Sequence, residues 1–164
     1  PICCRRILDV GCCTGEFIEL SPRRVIGIDT NKQTLSTCLH RGFIVKYGSA
    51  NKIPYPRNSF DGLHCSHVIE HLPPFQVYKF LQESARILKP GGILVISSPL
   101  LWSGFYDNLT HIKPYPPRAI TRYLVETAPD TTYPAIKSKF EFVALHWRYR
   151  YFTKTGYTLV LTKC

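Results

Sequence analysis

The stretch Ile7–Phe17, ILDVGCCTGEF, decides the fold. RRILDV reads as a buried strand, and TGEFIEL as the opening of a helix that starts near Thr14. Between them, Gly11 and Gly15 let the backbone turn tightly and approach a ligand without a Cβ in the way. A helix start beyond such a turn aims its free N–H groups at whatever binds there. The stretch also holds the doublet Cys12–Cys13, with a second doublet, Cys3–Cys4, upstream. A cysteine cluster is therefore the competing reading. Against it, the seven cysteines are odd in number and show no C-x-x-C spacing. Neighbouring strand residues also point to opposite faces. Reduced, structural cysteines of a cytoplasmic protein are the expectation.

Working outward, short β-rich runs alternate with amphipathic stretches. RVIGID is a second strand, NKQTLSTCLHRG a helix stopped at Gly42, FIVKYG a third strand and FDGLHCS a fourth, after the polar loop SANKIPYPRNS. PPFQVYKFLQESARIL places Phe75, Tyr78, Leu81, Ala85 and Leu88 at helical spacing and ends at KPGG. ILVISSP is a fifth strand, PRAITRYLVET a helix, and KFEFVALHWRYRYF with GYTLVLTKC a terminal antiparallel pair. Such alternation argues for a parallel sheet covered on both faces. The 164 residues fit one domain, 1–164, able to bury roughly 70% of the unfolded surface. No run is long enough to span a bilayer. The chain has no methionine, even at position 1, so an upstream segment is expected.

Twenty-one Lys and Arg against eleven Asp and Glu give a net charge of +10, which attracts anionic partners. The cations are spread along the chain without a basic block, so nucleic acid is permitted and not favoured. Asp29 ends the second strand twenty residues after Asp9, where a carboxylate can accept hydrogen bonds from two ribose hydroxyls. Turn, spacing and acid together point to an adenosine-containing cofactor.

ILDVGCCTGEF, VIGIDTN, NSFDGLHCSHVIEHL and ILKPGGILVISSP, in this order, resemble class I S-adenosylmethionine-dependent methyltransferases of the type 11, ubiquinone-biosynthesis-like group. The resemblance covers about residues 5–100. It implies a Rossmann-like doubly wound α/β sheet in order 3-2-1-4-5-7-6, the last strand antiparallel, with the N-terminal helix of the fold upstream of this sequence. It implies that Asp9, Gly11, Cys12, Cys13 and Gly15 line the methionine and ribose side of S-adenosyl-L-methionine. Asp29 would hold the ribose, Thr30 border the adenine, and Ser66 and His67 flank the methionine part. Ser49 and Ala50 stand where the group usually has an acid that meets the adenine amino group. Cys13 replaces the middle glycine of the common G-x-G-x-G turn and is expected to keep a negative φ.

Two further segments carry chemistry. HVIEH sets His67, Glu70 and His71 at i, i+3 and i+4, a metal-ligand spacing if helical. It resembles the run with which plant-type small-RNA methyltransferases hold a divalent metal, with His111 as a later ligand. The reading taken here assigns no metal and has Glu70 and His71 cap and pack the start of the following helix. Residues 100–118 form the expected acceptor pocket. DNLTHIKPY within it resembles a D-x-x-H-x-[RK]-P-[YF] pattern of bacterial type 11 enzymes, matching it from His111 to Tyr115 with Asp107 one position further from the histidine. His111 is the candidate catalytic base. Tyr106, Asn108 and Tyr115 would orient the acceptor, and Lys113 would meet an anionic group. A purely structural His111 remains the alternative. HWRYRYF alternates Trp147, Tyr149 and Tyr151 with Arg148, Arg150 and Phe152 and is read as a sheet strand with one face covered. The expected activity is methyl transfer to O or N of a small-molecule or glycan-linked acceptor, possibly anionic. A metal-assisted RNA methyltransferase and a degenerate, non-catalytic interaction module are the alternatives.

Overall fold

The computed structural model describes residues 6–126 and 133–164. Cys3 and Cys4 lie outside the described residues. Seven strands, β1 (Ile7–Val10), β2 (Val25–Asp29), β3 (Val45–Tyr47), β4 (Phe60–Ser66), β5 (Leu88–Pro99), β6 (Phe140–Arg150) and β7 (Thr153–Lys163), form one sheet. Its order is β3-β2-β1-β4-β5-β7-β6. β1 to β5 run parallel, and β7 pairs antiparallel with both β5 and β6. This is the order and direction expected. The chain leaves β1 toward β2 on one side and returns through β4 on the other, so the crevice beyond the ends of β1 and β4 is the switch point where α/β sheets bind ligands.

Apolar side chains on the sheet, such as Leu8, Ile28, Leu63, Leu94, Ile96, Leu159 and Leu161, are almost fully buried. The helices α1 (Glu16–Glu19), α2 (Lys32–His40), α3 (Pro74–Ile87) and α4 (Pro117–Leu124) complete the described elements, with short 3-10 turns at Ile69–His71 and Phe105–Asp107. Asn31 caps α2 by accepting from the N–H groups of Gln33 and Thr34, and Gly42, at φ 76°, ends it as expected.

Four local expectations need correction. First, the helix expected from Thr14 is a single turn beginning at Glu16, because Gly15 at φ 89° is left-handed and cannot extend it. Second, the buried stripe of α3 is Val77, Tyr78, Phe80, Leu81, Ser84, Ala85 and Ile87. Phe75 is 53% exposed, and Leu88 already belongs to β5. Third, Glu70 and His71 do not cap α3: they sit in a separate 3-10 turn, and α3 starts after Pro73 with proline at its first position. Fourth, alternation along HWRYRYF breaks at a bulge between Arg148 and Tyr149. Trp147 is partly buried near Tyr157, whereas Tyr149 and Tyr151 stand 57% and 89% exposed.

Candidate active site

The ends of β1, β2 and β4 deliver Asp9, Asp29, Ser66 and His67 to one crevice. Asp29 organises its adenosine-sized half. Its Oδ2 accepts from the Cys13 N–H at 2.9 Å and its Oδ1 from the Asn31 N–H at 2.8 Å. A carboxylate has about four acceptor sites, so lone pairs remain for two hydroxyls. A cavity of about 640 Å³ opens beside it, walled by Gly11, Cys13, Asp29, Thr30, Ser49, Ala50, Asn51, His67 and neighbours. The Ser49 hydroxyl bonds the Asn51 amide oxygen. Asn51 is a polar wall residue that the motifs did not indicate.

A second cavity of about 540 Å³ continues along Asp9, Gly11, Cys12, Cys13, Ser66 and His67. Asp9, almost fully buried, accepts from His64 Nδ1 at 2.7 Å, and the His64 ring stacks on Phe17 at 3.8 Å. Asp9 thus lines the site with one oxygen held by His64, a histidine inside strand β4 that no motif marked. Size, a free carboxylate acceptor and neutral polar groups fit a nucleoside cofactor with a short polar tail.

The two cysteines of the turn part company. Cys12 is buried over Gly27, where an added Cβ would lie 2.6 Å from its sulfur. Burial first, then the Asp9 charge, push its thiol far above the ordinary value, so it stays a protonated hydrophobe. Cys13 is exposed and adopts φ +47°, against the expected negative value. The hydrogen bond from its N–H to Asp29 and that from Cys38 Sγ to its carbonyl at 3.3 Å hold it there. Left-handed backbone costs a residue with a Cβ roughly 1–2 kcal/mol, and glycine's extra unfolded-state entropy returns about 0.5–1 kcal/mol of that. Cys13→Gly is therefore expected to raise stability by about 0.5–1 kcal/mol in urea unfolding. An equal or lower stability would show that the strain is absent. Gly15 lines neither cavity. It is glycine because a Cβ would meet the Phe43 ring at 2.6 Å.

His67 is likewise left-handed, at φ +56°, and it lines three cavities: the two above and a third of about 490 Å³. The third is walled by Pro99, Trp102, Gly104, His111, Arg148, Tyr149, Arg150 and Thr155. Arg148 Nη1 lies 2.9 Å from His67 Nε2. A guanidinium only donates, so Nε2 accepts and His67 carries its proton on Nδ1, which donates to Glu70 Oε1 at 3.0 Å. Glu70 is wholly buried, and its other oxygen accepts from Ser98 Oγ. Arg148 pairs with Gly156 across β6 and β7, and a Cβ on Gly156 would lie 2.7 Å from the guanidinium.

Residues 100–118 supply Trp102, Gly104 and His111 to the third cavity. The segment is tied down where the Ile112 N–H donates to the Glu70 carbonyl at 2.8 Å and His111 Nδ1 bonds the Phe105 carbonyl at 2.7 Å. Tyr106, Asn108, Lys113 and Tyr115 do not line it. Tyr115 is buried, with its hydroxyl donating to the Leu72 carbonyl. Burial pushes this phenol up to about 12, so it remains a donor. The cations on the cavity are Arg148 and Arg150, from the run that the sequence reads as a strand with one face covered.

Fold and site define the class of S-adenosylmethionine-dependent methyltransferases, and the comparisons agree. The family described as "Methyltransferase domain" matches residues 8–96, and the chain belongs to this type 11 methyltransferase family. Over 111 residues it is 34% identical to a protein of Arabidopsis thaliana described as a probable pectin methyltransferase. That match spans 58% of this chain and 17% of the relative. It is 33% identical over 100 residues to a probable S-adenosylmethionine-dependent methyltransferase of Mycolicibacterium smegmatis, spanning 58% of this chain and 38% of the relative. The chain thus spans well under half the length of these curated relatives. The crystal structure of a SAM-dependent methyltransferase from Archaeoglobus fulgidus superposes with a TM-score of 0.74 at 25% identity, covering 99% of this chain and 87% of that one. No helix among the described residues is long and apolar enough to cross a membrane.

Proposed function

We propose that the chain is a single domain that moves the methyl group of S-adenosylmethionine to an oxygen or nitrogen of an anionic small-molecule or glycan-linked acceptor. The observation that carries this reading is the position of His67, where the two cavities on the Asp29 side meet the arginine-lined one. In this reading Asp29 holds the ribose hydroxyls, Thr30, Ser49 and Ala50 border the adenine, and Asp9, Gly11, Cys12, Cys13, Ser66 and His67 surround the methionine part.

When bound, the cofactor supplies a methyl group already activated on a sulfonium. The chain's work is to align an acceptor lone pair with the S–CH₃ bond and keep water out. Trp102 and the Arg148 and Arg150 guanidiniums give the acceptor side an aromatic wall and two cations. Such a surface recognises carboxylate or phosphate through paired N–H donors. A charged sugar fits it, in keeping with the pectin named for one relative. His111, on the same wall, promotes loss of the acceptor's proton. Five free cysteines among the described residues suit a reducing, cytoplasmic setting.

The test is methyl transfer from labelled cofactor to a panel of uronic acids, sugar phosphates and their neutral parents. Acidic sugars are expected to be methylated and neutral ones not. His111→Asn is expected to lower kcat by about 10²–10⁴-fold with little change in KM. Transfer to neutral sugars alone would sink the anionic acceptor, and an unchanged kcat would remove His111 from the chemistry.

A further inference from the structure

Strand register sets Asp9 in a row with Gly27 on β2 and His64 on β4, and β5 adds Val95 beyond His64. Gly27 brings no side chain and Val95 no polar side-chain atom, so His64 is the one partner in the row that can bond the acid. Its Nδ1 lies 2.7 Å from Asp9 Oδ1. An ionised carboxylate only accepts, so the imidazole donates from Nδ1. Among the described residues no other hydrogen bond reaches the Asp9 side chain. The ring is held in place. Phe17 stacks on it with the two planes at 20°, and the small cavity on which both also border is otherwise walled by Ile7, Gly62, Leu63, Ile93 and Val95. Those walls offer Nδ1 no competing acceptor.

With Oδ1 held, Asp9 keeps Oδ2 for a ligand in the cavity of about 540 Å³ that it lines. The acids on that cavity are Asp9 and Glu16, and neither lysine nor arginine lines it. A cleft of this sign draws in a cation. Glu16 is exposed, so water and salt screen it. Asp9 is buried, where a charge acts through a lower effective dielectric. The amino-acid tail of S-adenosylmethionine carries an ammonium, which is the cation this carboxylate suits. The adenosine-sized cavity beside Asp29 is walled by neither Asp9 nor His64. Grip on the tail and grip on the nucleoside therefore come from separate side chains.

We propose that His64 is a positioning residue for the cofactor: it fixes the Asp9 carboxylate so that Oδ2 accepts the ammonium of the amino-acid tail. The chain thereby separates the complete cofactor from nucleosides that lack the tail. Without the Nδ1–H, the buried Oδ1 loses its hydrogen bond. The carboxyl group then turns about its terminal torsion, which is broad and has no steep wells of its own. Oδ2 no longer points at one place in the cavity, and the tail loses a fixed partner. This inference rests on the cofactor reading proposed above and adds to it the side chain that makes the tail count.

The test is calorimetric titration of the wild-type chain, His64→Leu and His64→Asn with two ligands. One is S-adenosylhomocysteine, and the other is 5′-methylthioadenosine, the same nucleoside thioether without the amino-acid tail. Circular dichroism verifies that each variant is folded. His64→Leu keeps much of the volume and has no donor. It is expected to bind S-adenosylhomocysteine about tenfold more weakly or worse, and 5′-methylthioadenosine within about twofold of wild type. His64→Asn places an amide N–H near the position of Nδ1 and is expected to recover most of the loss. Should His64→Leu not fold, His64→Gln takes its place, since its amide lies one bond too far out to replace Nδ1. Equal losses for both ligands would make the role merely structural and overturn the proposal, as would an unchanged affinity for S-adenosylhomocysteine. A wild-type chain that binds neither ligand overturns the cofactor reading itself. One that binds both, with no selective loss in the variant, keeps that reading and removes His64 from it.

Discussion

Asp29→Ala is expected to weaken S-adenosylmethionine binding by about a hundredfold or more. The carboxylate does two things at once. It accepts the Cys13 and Asn31 N–H groups, which holds the turn beside the cavity, and in the proposed reading its remaining lone pairs accept from the ribose hydroxyls. Hydrogen bonds to a charged partner contribute about 1.5–3 kcal/mol each. Loss of two to the ligand gives about 3 kcal/mol, and 1.4 kcal/mol is a factor of ten. Asp29→Asn replaces one acceptor oxygen by a donor, so its affinity should fall between the two. Calorimetric titration measures both. An affinity for Asp29→Ala within a few-fold of wild type would mean that the ribose does not lie against β2.

The second large effect is on stability. Gly11→Val is expected to destabilise the chain by about 3 kcal/mol or more, the sum of left-handed strain and overpacking. Gly11 sits at φ +75°, and a Cβ there would lie 2.4 Å from Val68 Cγ2. Val68 cannot retreat easily, because the His67 N–H is bonded to the Ser97 carbonyl and the His71 N–H to the Val68 carbonyl. For a chain of this size the loss corresponds to a fall in Tm of roughly 6–12 °C. A midpoint within a degree or two of wild type would show that Val68 gives way.

Both predictions rest on positions legible in the sequence. Asp29 and Gly11 belong to local patterns in which a strand end, a turn and an acid follow one another within a few residues. The alternation of runs indicated a parallel α/β sheet, and the order of its seven strands followed from the resemblance to class I methyltransferases that these patterns carry. The arginine-lined cavity was not legible, because it forms from pieces far apart in the chain. Arg148 reaches His67 only because β6 lies at the sheet edge, Gly156 leaves space for the guanidinium, and a bulge follows. Periodicity alone put Tyr149 on one face with Trp147 and Tyr151, and the bulge removes that regularity. His64 hid within an ordinary strand, since its partner Asp9 lies on the neighbouring one. The conformation of Cys13 was misjudged for a related reason: long-range bonds from Asp29 and Cys38 hold it left-handed against its intrinsic preference.

The central claim is that the crevice beyond β1, β2 and β4 is a working cofactor site despite Cys13 and Ser49. Calorimetric titration of the 164-residue chain with S-adenosylmethionine tests it most directly. Saturable one-to-one binding that largely disappears in Asp29→Ala is the predicted result. The absence of any binding heat for the folded chain at millimolar ligand would contradict it.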